Sequence, residues 1–176
     1  IIHSARISGS TKIKRLYASI KGYLGNKRLR NYLIKNIPNV KILYVSGTLV
    51  YGNGNSKKIS ENSKTNPISY AREYFIAEKP WLYAQERNLL KVSIVRPPWI
   101  IGNGSWFYSF FVNTSKKYGF VPVYGNGENW MSLIDVEDCA GLILNIIKNC
   151  ESGHVYNIYT PEQYVKQINF CRELSN

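Results

Sequence analysis

The chain has 176 residues, 44% of them hydrophobic and 19% charged, which suits a globular fold large enough to bury a real core. Its apolar runs, such as Leu142 to Ile147, are far too short to cross a membrane, and the start at Ile1-Ile2 breaks at once into His3 and polar residues, so it does not read as a secretory leader. The formal net charge of +12 raises the question of nucleic acid, but the basic residues form only short clusters such as Lys27-Arg28-Arg30, and a generally basic surface is expected instead of a dedicated polyanion site.

The opening apolar pair Ile1-Ile2 reads as the middle of a strand, and with Met131 as the only methionine the chain is expected to be a trimmed piece. Ile13, Leu16, Tyr17, Ile20 and Leu24 recur at helical spacing, and Leu29, Tyr32 and Leu33 extend the pattern. The β-branched run from Val40 to Val45 predicts a buried strand, and residues 53–66 form a polar loop. A helix is expected over Tyr70 to Asn88, bent or restarted at Pro80. A strand follows from Val92 to Val95, ending at Arg96-Pro97-Pro98. Further on come a helix over Ser105 to Lys117, a tight turn at Gly125-Asn126-Gly127, a helix over Val136 to Lys148 and a strand over Val155 to Tyr159. This alternation predicts an α/β fold with parallel pairing. Three scattered cysteines, Cys139, Cys150 and Cys171, give neither a disulfide framework nor a metal site, and fit a reducing, cytoplasmic setting.

In an open parallel sheet, ligands bind at the carboxyl ends of the strands. Here those ends carry His3-Ser4-Ala5, Ser46-Gly47-Thr48 and Arg96-Pro97-Pro98-Trp99. Between the last two lies Tyr70, with Tyr74 one helical turn later and Glu78 one turn beyond that. In this order and spacing, together with Val50-Tyr51-Gly52, Gly102 and Gly125-Asn126-Gly127 followed by Asp138, these residues resemble the extended short-chain dehydrogenases, in their NAD-dependent epimerase/dehydratase branch. The resemblance runs from about Ile1 to Asn157. It implies a Rossmann-like parallel sheet lacking its first strands over residues 1–160, with substrate-domain insertions, and the start of a truncated substrate-domain tail over 161–176.

The family's chemistry uses NAD or NADP with a hydroxyl, a tyrosine and a lysine. The tyrosine gives or takes a proton at the reacting oxygen while hydride moves to or from the cofactor. A lysine one turn on lowers the tyrosine pKa, whose free value is about 10. Carried over by position, Tyr70 is the catalytic tyrosine, and Thr48 or Ser46 supplies the hydroxyl, because Gly47 stands where the family keeps it. The lysine position holds Tyr74. A lost lysine that shifted Tyr70 by about three units would withhold roughly 4 kcal/mol of help. A second register, with Tyr74 as acid and Lys79 five residues on, puts the lysine out of line on a helix.

The resemblance implies cofactor contacts from His3, Ala5, Ser46, Tyr70, Tyr74 and Pro98, and substrate contacts from Gly47, Trp99 and Met131, with no metal. Met131 replaces an arginine that grips the diphosphate in nucleotide-sugar enzymes, and Trp99 points to a more apolar ligand. The glycine-rich phosphate turn is absent, since the three Gly-Asn-Gly sequences lack a third glycine at the required spacing, and it is expected upstream together with the first strands. Expected, then, is a sugar-, aldehyde- or ketone-directed epimerase, dehydratase or reductase with impaired turnover, inactive as the fragment alone, and a homodimer in keeping with the family. The competing expectation is an inactive member that serves as a cofactor-sensing or RNA- or protein-binding scaffold.

Overall fold

The computed structural model describes residues 1–7, 11–54, 57–67, 71–161 and 164–175, with residue 73 described by its backbone alone. In chain order the elements are β1 (Ile2–His3), α1 (Lys12–Asn36), β2 (Lys41–Val45), a 3-10 turn (Thr48–Tyr51), α2 (Ala71–Glu86), β3 (Lys91–Arg96) and β4 (Trp99–Ile101). There follow a π-helical turn (Tyr108–Val112), α3 (Asn113–Tyr118), β5 (Trp130–Asp135), α4 (Val136–Asn149), β6 (Val155–Asn157), β7 (Tyr164–Lys166) and α5 (Gln167–Ser175). The chain divides into two compact units, residues 1–96 with 143–157 and residues 97–142 with 158–176, so the tail after residue 160 groups with the middle of the chain.

The first unit holds a parallel sheet in the order β1-β2-β3-β6. Ile42, Leu43 and Tyr44 are buried in succession, as a central parallel strand covered on both faces requires. Leu33 of α1 and Trp81 and Ala84 of α2 close the core against Ile42, Tyr44, Leu90, Val92 and Ile94. The two helices meet at Gly22, where an added Cβ would lie 3.1 Å from the Ala77 Cβ. Thr11 caps α1 by accepting the Lys14 N–H at 3.3 Å.

One expectation about this unit is corrected. The helix carrying Pro80 is neither broken nor restarted, because α2 runs on through it to Glu86. An interior proline costs about 3 kcal/mol through its missing N–H and its ring clash. Full burial of Pro80 beside Trp81 offsets that cost, so packing overrides the local preference.

The second unit pairs β4 with β5 in parallel and β5 with β7 antiparallel. None of these strands, nor α5, is predicted by periodicity, since β4 and β7 are three residues each and β5 is flanked by turn residues. The helical stretch expected over Ser105 to Lys117 is present but widens into the π turn, with Ser105 Oγ accepting the Tyr108 N–H at 3.3 Å. Phe107, Phe111, Met131, Leu133 and Cys171 form the core, with Trp99 and Phe170 packed against it. Among the described residues no helix is long and apolar enough to cross a membrane.

Candidate functional site

The strands β1, β2 and β3 run in the same direction, with His3 level with Tyr44 and Val45 level with Val95. Their carboxyl ends therefore open on one edge, which delivers Ser4 to Ile7 and Ser46 to Thr48 to the place where parallel sheets bind ligands.

A buried polar chain ties these ends to the helices. Arg96, at the end of β3, pairs through Nη2 with Glu78 Oε1 of α2 at 2.7 Å, and both side chains are almost wholly buried. The Ser46 hydroxyl donates to the other carboxylate oxygen of Glu78. Burial alone would push the Arg96 guanidinium down, but the Glu78 charge and hydrogen bond, with Tyr51, carry it above its ordinary value. Arg96 also lies 4.8 Å over the Tyr51 ring, and the Tyr51 hydroxyl donates to Asn157 Oδ1 at the end of β6, 2.8 Å away.

His3 is placed by a second branch. Its Nε2 lies 2.8 Å from Asn26 Oδ1, and Asn26 Nδ2 donates to the Ala77 carbonyl at 2.8 Å. The imidazole stands edge-on to Tyr44 and Trp81. This environment suits a residue that fixes the end of β1. Tyr44 is pushed up to about 12, first by burial and then by the Glu78 charge, with Arg6 and an Asn26 hydrogen bond pulling the other way. Its phenol stays protonated at neutral pH.

The remaining predicted residues separate into two groups. Ser46, with its hydroxyl on Glu78, acts within the positioning chain. Gly47 is extended at φ −178° and leads into the 3-10 turn, whose first residue is Thr48. The Thr48 hydroxyl has no hydrogen bond among the described residues. Val50 and Tyr51 of that turn pack against Ala71 and Tyr74, which sets Thr48 beside the first turn of α2. Tyr70 lies outside the described residues and immediately precedes Ala71. Tyr74 is buried in this cluster, with the Arg6 guanidinium 4.8 Å over its ring, and Ala5 is exposed next to Arg6.

Pro98, Trp99 and Met131 belong to the second unit. Trp99 meets Phe111 at 5.6 Å between ring centroids. Met131 is 1% exposed in the core, so its side chain serves apolar packing where the resemblance implies a substrate contact. Gly102 is explained by packing too, since a Cβ there would come within 2.6 Å of Val136 Cγ1. The thiols of Cys139 and Cys171 are raised by burial, which weakens them as nucleophiles, and no group of metal ligands occurs among the described residues.

Sequence reasoning placed Glu78 only as a family landmark and did not single out Arg6, Asn26 or Tyr51 as site residues. No local signal marks them, because each acquires its role from a partner more than twenty residues away.

The site's ordered strand ends have a counterpart among known proteins. The model of the NAD dependent epimerase/dehydratase family matches residues 1–159. The chain belongs to this family. Protein YeeZ of Escherichia coli (strain K12) is 25% identical over 130 residues, which make up 73% of this chain and 43% of YeeZ. The crystal structure of dTDP-glucose 4,6-dehydratase from Bacillus anthracis in complex with NAD superposes with a TM-score of 0.81 at 21% identity, over 99% of this chain and 55% of that one. RMD from Pseudomonas aeruginosa complexed with NADPH gives 0.76 at 24% identity, over 99% of this chain and 64% of that one. At such identities the structures establish the Rossmann-like fold. As an epimerase/dehydratase-family chain, it spans about half the length of these relatives.

Proposed function

We propose that the complete protein is an NAD(P)-dependent epimerase, dehydratase or reductase acting on a sugar, aldehyde or ketone, with Tyr70 as its acid/base and Thr48 orienting the reacting oxygen. The packing of Val50 and Tyr51 on Ala71 and Tyr74 carries this reading, because it brings the Thr48 hydroxyl to the helix turn that Tyr70 precedes. Family membership supports the reaction class, and the NAD and NADPH held by the two structural relatives support the cofactor. The donor set at the sheet edge, Ser4, Arg6 and Thr48 beside the small residues Ala5 and Gly47, fits the ribose and nicotinamide half of such a molecule. When bound, it would supply or accept the hydride. Thr48 would hold the substrate oxygen by a hydrogen bond, and Tyr70 would give or take its proton. The Glu78 pair keeps Ser46 and the β3 end fixed beneath them.

Tyr70→Phe in the complete protein is expected to lower turnover by about 100- to 10,000-fold with little change in cofactor affinity. Unchanged turnover would remove Tyr70 from the reaction.

A second reading follows from Gly47, which offers no hydroxyl, and from the engagement of Ser46 with Glu78. In it the protein keeps the fold, turns over slowly or not at all, and serves as a cofactor-sensing or binding module. Gly47→Ser with Tyr74→Lys separates the two. Turnover that rises in the double variant supports a damaged enzyme, and a folded variant inert on sugars, aldehydes and ketones supports the module. Salt-sensitive retention on RNA would make that module an RNA binder.

The setting we favour is the cytoplasm, in keeping with three free cysteines. We also favour a homodimer, since α1 exposes Ile13, Tyr17, Ile20 and Leu24 at intervals of four, three and four residues. Ile20→Glu should then lower the mass measured by sedimentation to that of the monomer.

A further inference from the structure

Three residues past the end of β1, the Arg6 side chain reaches across to α2 and lays its guanidinium over the Tyr74 ring, 4.8 Å from the centroid. Tyr74 is 9% exposed and held by Val50, Tyr51 and Ala71, so the surface that carries the guanidinium is itself fixed. The Arg6 charge is felt within this unit, because it opposes the burial that raises Tyr44.

We propose that Arg6 supplies the positive charge that the family keeps on a lysine at position 74, with the Tyr74 ring as the platform that holds it. This rests on the reading of Tyr70 as the acid/base. A lysine at 74 would carry its ammonium out from the helix one turn beyond Tyr70. A guanidinium resting on residue 74 brings a unit charge to the same turn from a different strand end. Arginine suits the task, since it remains charged at any working pH, stacks on aromatic faces and keeps several N–H donors free of the ring. Lysine's compact ammonium would stack less well.

The substitution of Tyr for Lys is then compensated from another part of the fold. A plain cation–π contact would stabilise the protein only slightly and leave Tyr70 unaffected. The proposal predicts an electrostatic effect on Tyr70. Because Arg6 is exposed, that effect should also weaken as salt is raised. Arg6 acts here as a positioning residue for the proton on Tyr70, and its outward donors face any hydroxyl-bearing ligand at the sheet edge.

The test is the ionisation of Tyr70, followed by tyrosinate absorbance as the difference between the complete protein and its Tyr70→Phe variant. Arg6→Gln is expected to raise the Tyr70 midpoint by about one pH unit, the lower end of the range for a nearby opposite charge. Arg6→Lys should recover part of that shift, and Tyr74→Lys added to Arg6→Gln should bring the midpoint back down. A midpoint that stays in place in Arg6→Gln, at both low and high salt, overturns the proposal. So does failure of Tyr74→Lys to restore it in a variant that folds. Failure of the enzyme reading shows separately, as absence of turnover on every substrate while the titration still responds to Arg6.

Discussion

The two units of this chain are held together by different physics. In the first, an apolar core is crossed by buried polar groups: Glu78, Arg96 and Asn26 are each more than nine-tenths buried and each is hydrogen-bonded. In the second, rings pack on rings, with Phe111 5.5 Å from Phe170 and 5.6 Å from Trp99, and the buried polar side chain is Gln167, which accepts the Tyr124 N–H at 2.6 Å. A buried ion pair is a poor way to gain stability, because desolvation cancels most of its Coulombic gain. Its place in the first unit makes sense as positioning, since one carboxylate fixes the ends of two strands.

That contrast can be broken most forcefully at Glu78. Glu78→Leu leaves Arg96 buried and unpaired, and is expected to cost about 3–5 kcal/mol in urea denaturation, whereas Glu78→Leu with Arg96→Met should recover most of it. In the second unit Phe111→Ala should cost a similar 3–5 kcal/mol through its cavity, and no loss of a neighbouring polar group should restore it. If the Glu78 double variant stays as unstable as the single one, the pair supplies net stability and the positioning account is wrong.

Tyr44 sharpens the comparison through pH. Its folded pKa of about 12 lies above the ordinary 10, so the folded state retains the proton longer than the unfolded one. The stabilisation is complete below pH 10 and is lost as pH rises through 12, amounting to roughly 2–3 kcal/mol. Tyr44→Phe should flatten that part of the stability profile between pH 9 and 12, measured by denaturant midpoints.

The smallest expected effect lies at Gly102. Gly102→Ala places a methyl against Val136, and overpacking of this kind costs about 1–3 kcal/mol. A cost near zero would mean that the loop shifts freely and that the glycine serves another purpose.

Much of the first unit was legible in the residues. The run from Val40 to Val45 and the helical spacing from Ile13 to Leu33 predict elements that the structure contains, with β2 starting at Lys41 and α1 reaching Asn36. These elements are long or fully buried, so periodicity speaks clearly. β4, β5 and β7 escaped because short strands hold too few residues for a period to show, and because their pairing partners are distant in the chain. The site divides in the same way. Tyr70, Gly47 and Tyr74 could be named by spacing within a family pattern, while the bond from Ser46 to Glu78 and the burial of Met131 could not.

The sequence by itself determined the order of strands and helices, the parallel sheet and the family, because hydrophobic period and motif spacing are properties of neighbouring residues. Only the tertiary structure decided that Pro80 stays inside an unbroken helix, that Ser46 belongs to Glu78, and that Arg6 lies over Tyr74. Each of those outcomes depends on which distant side chain shares a buried or crowded space. A charge or a hydroxyl takes its meaning from that neighbour, and linear spacing does not record it.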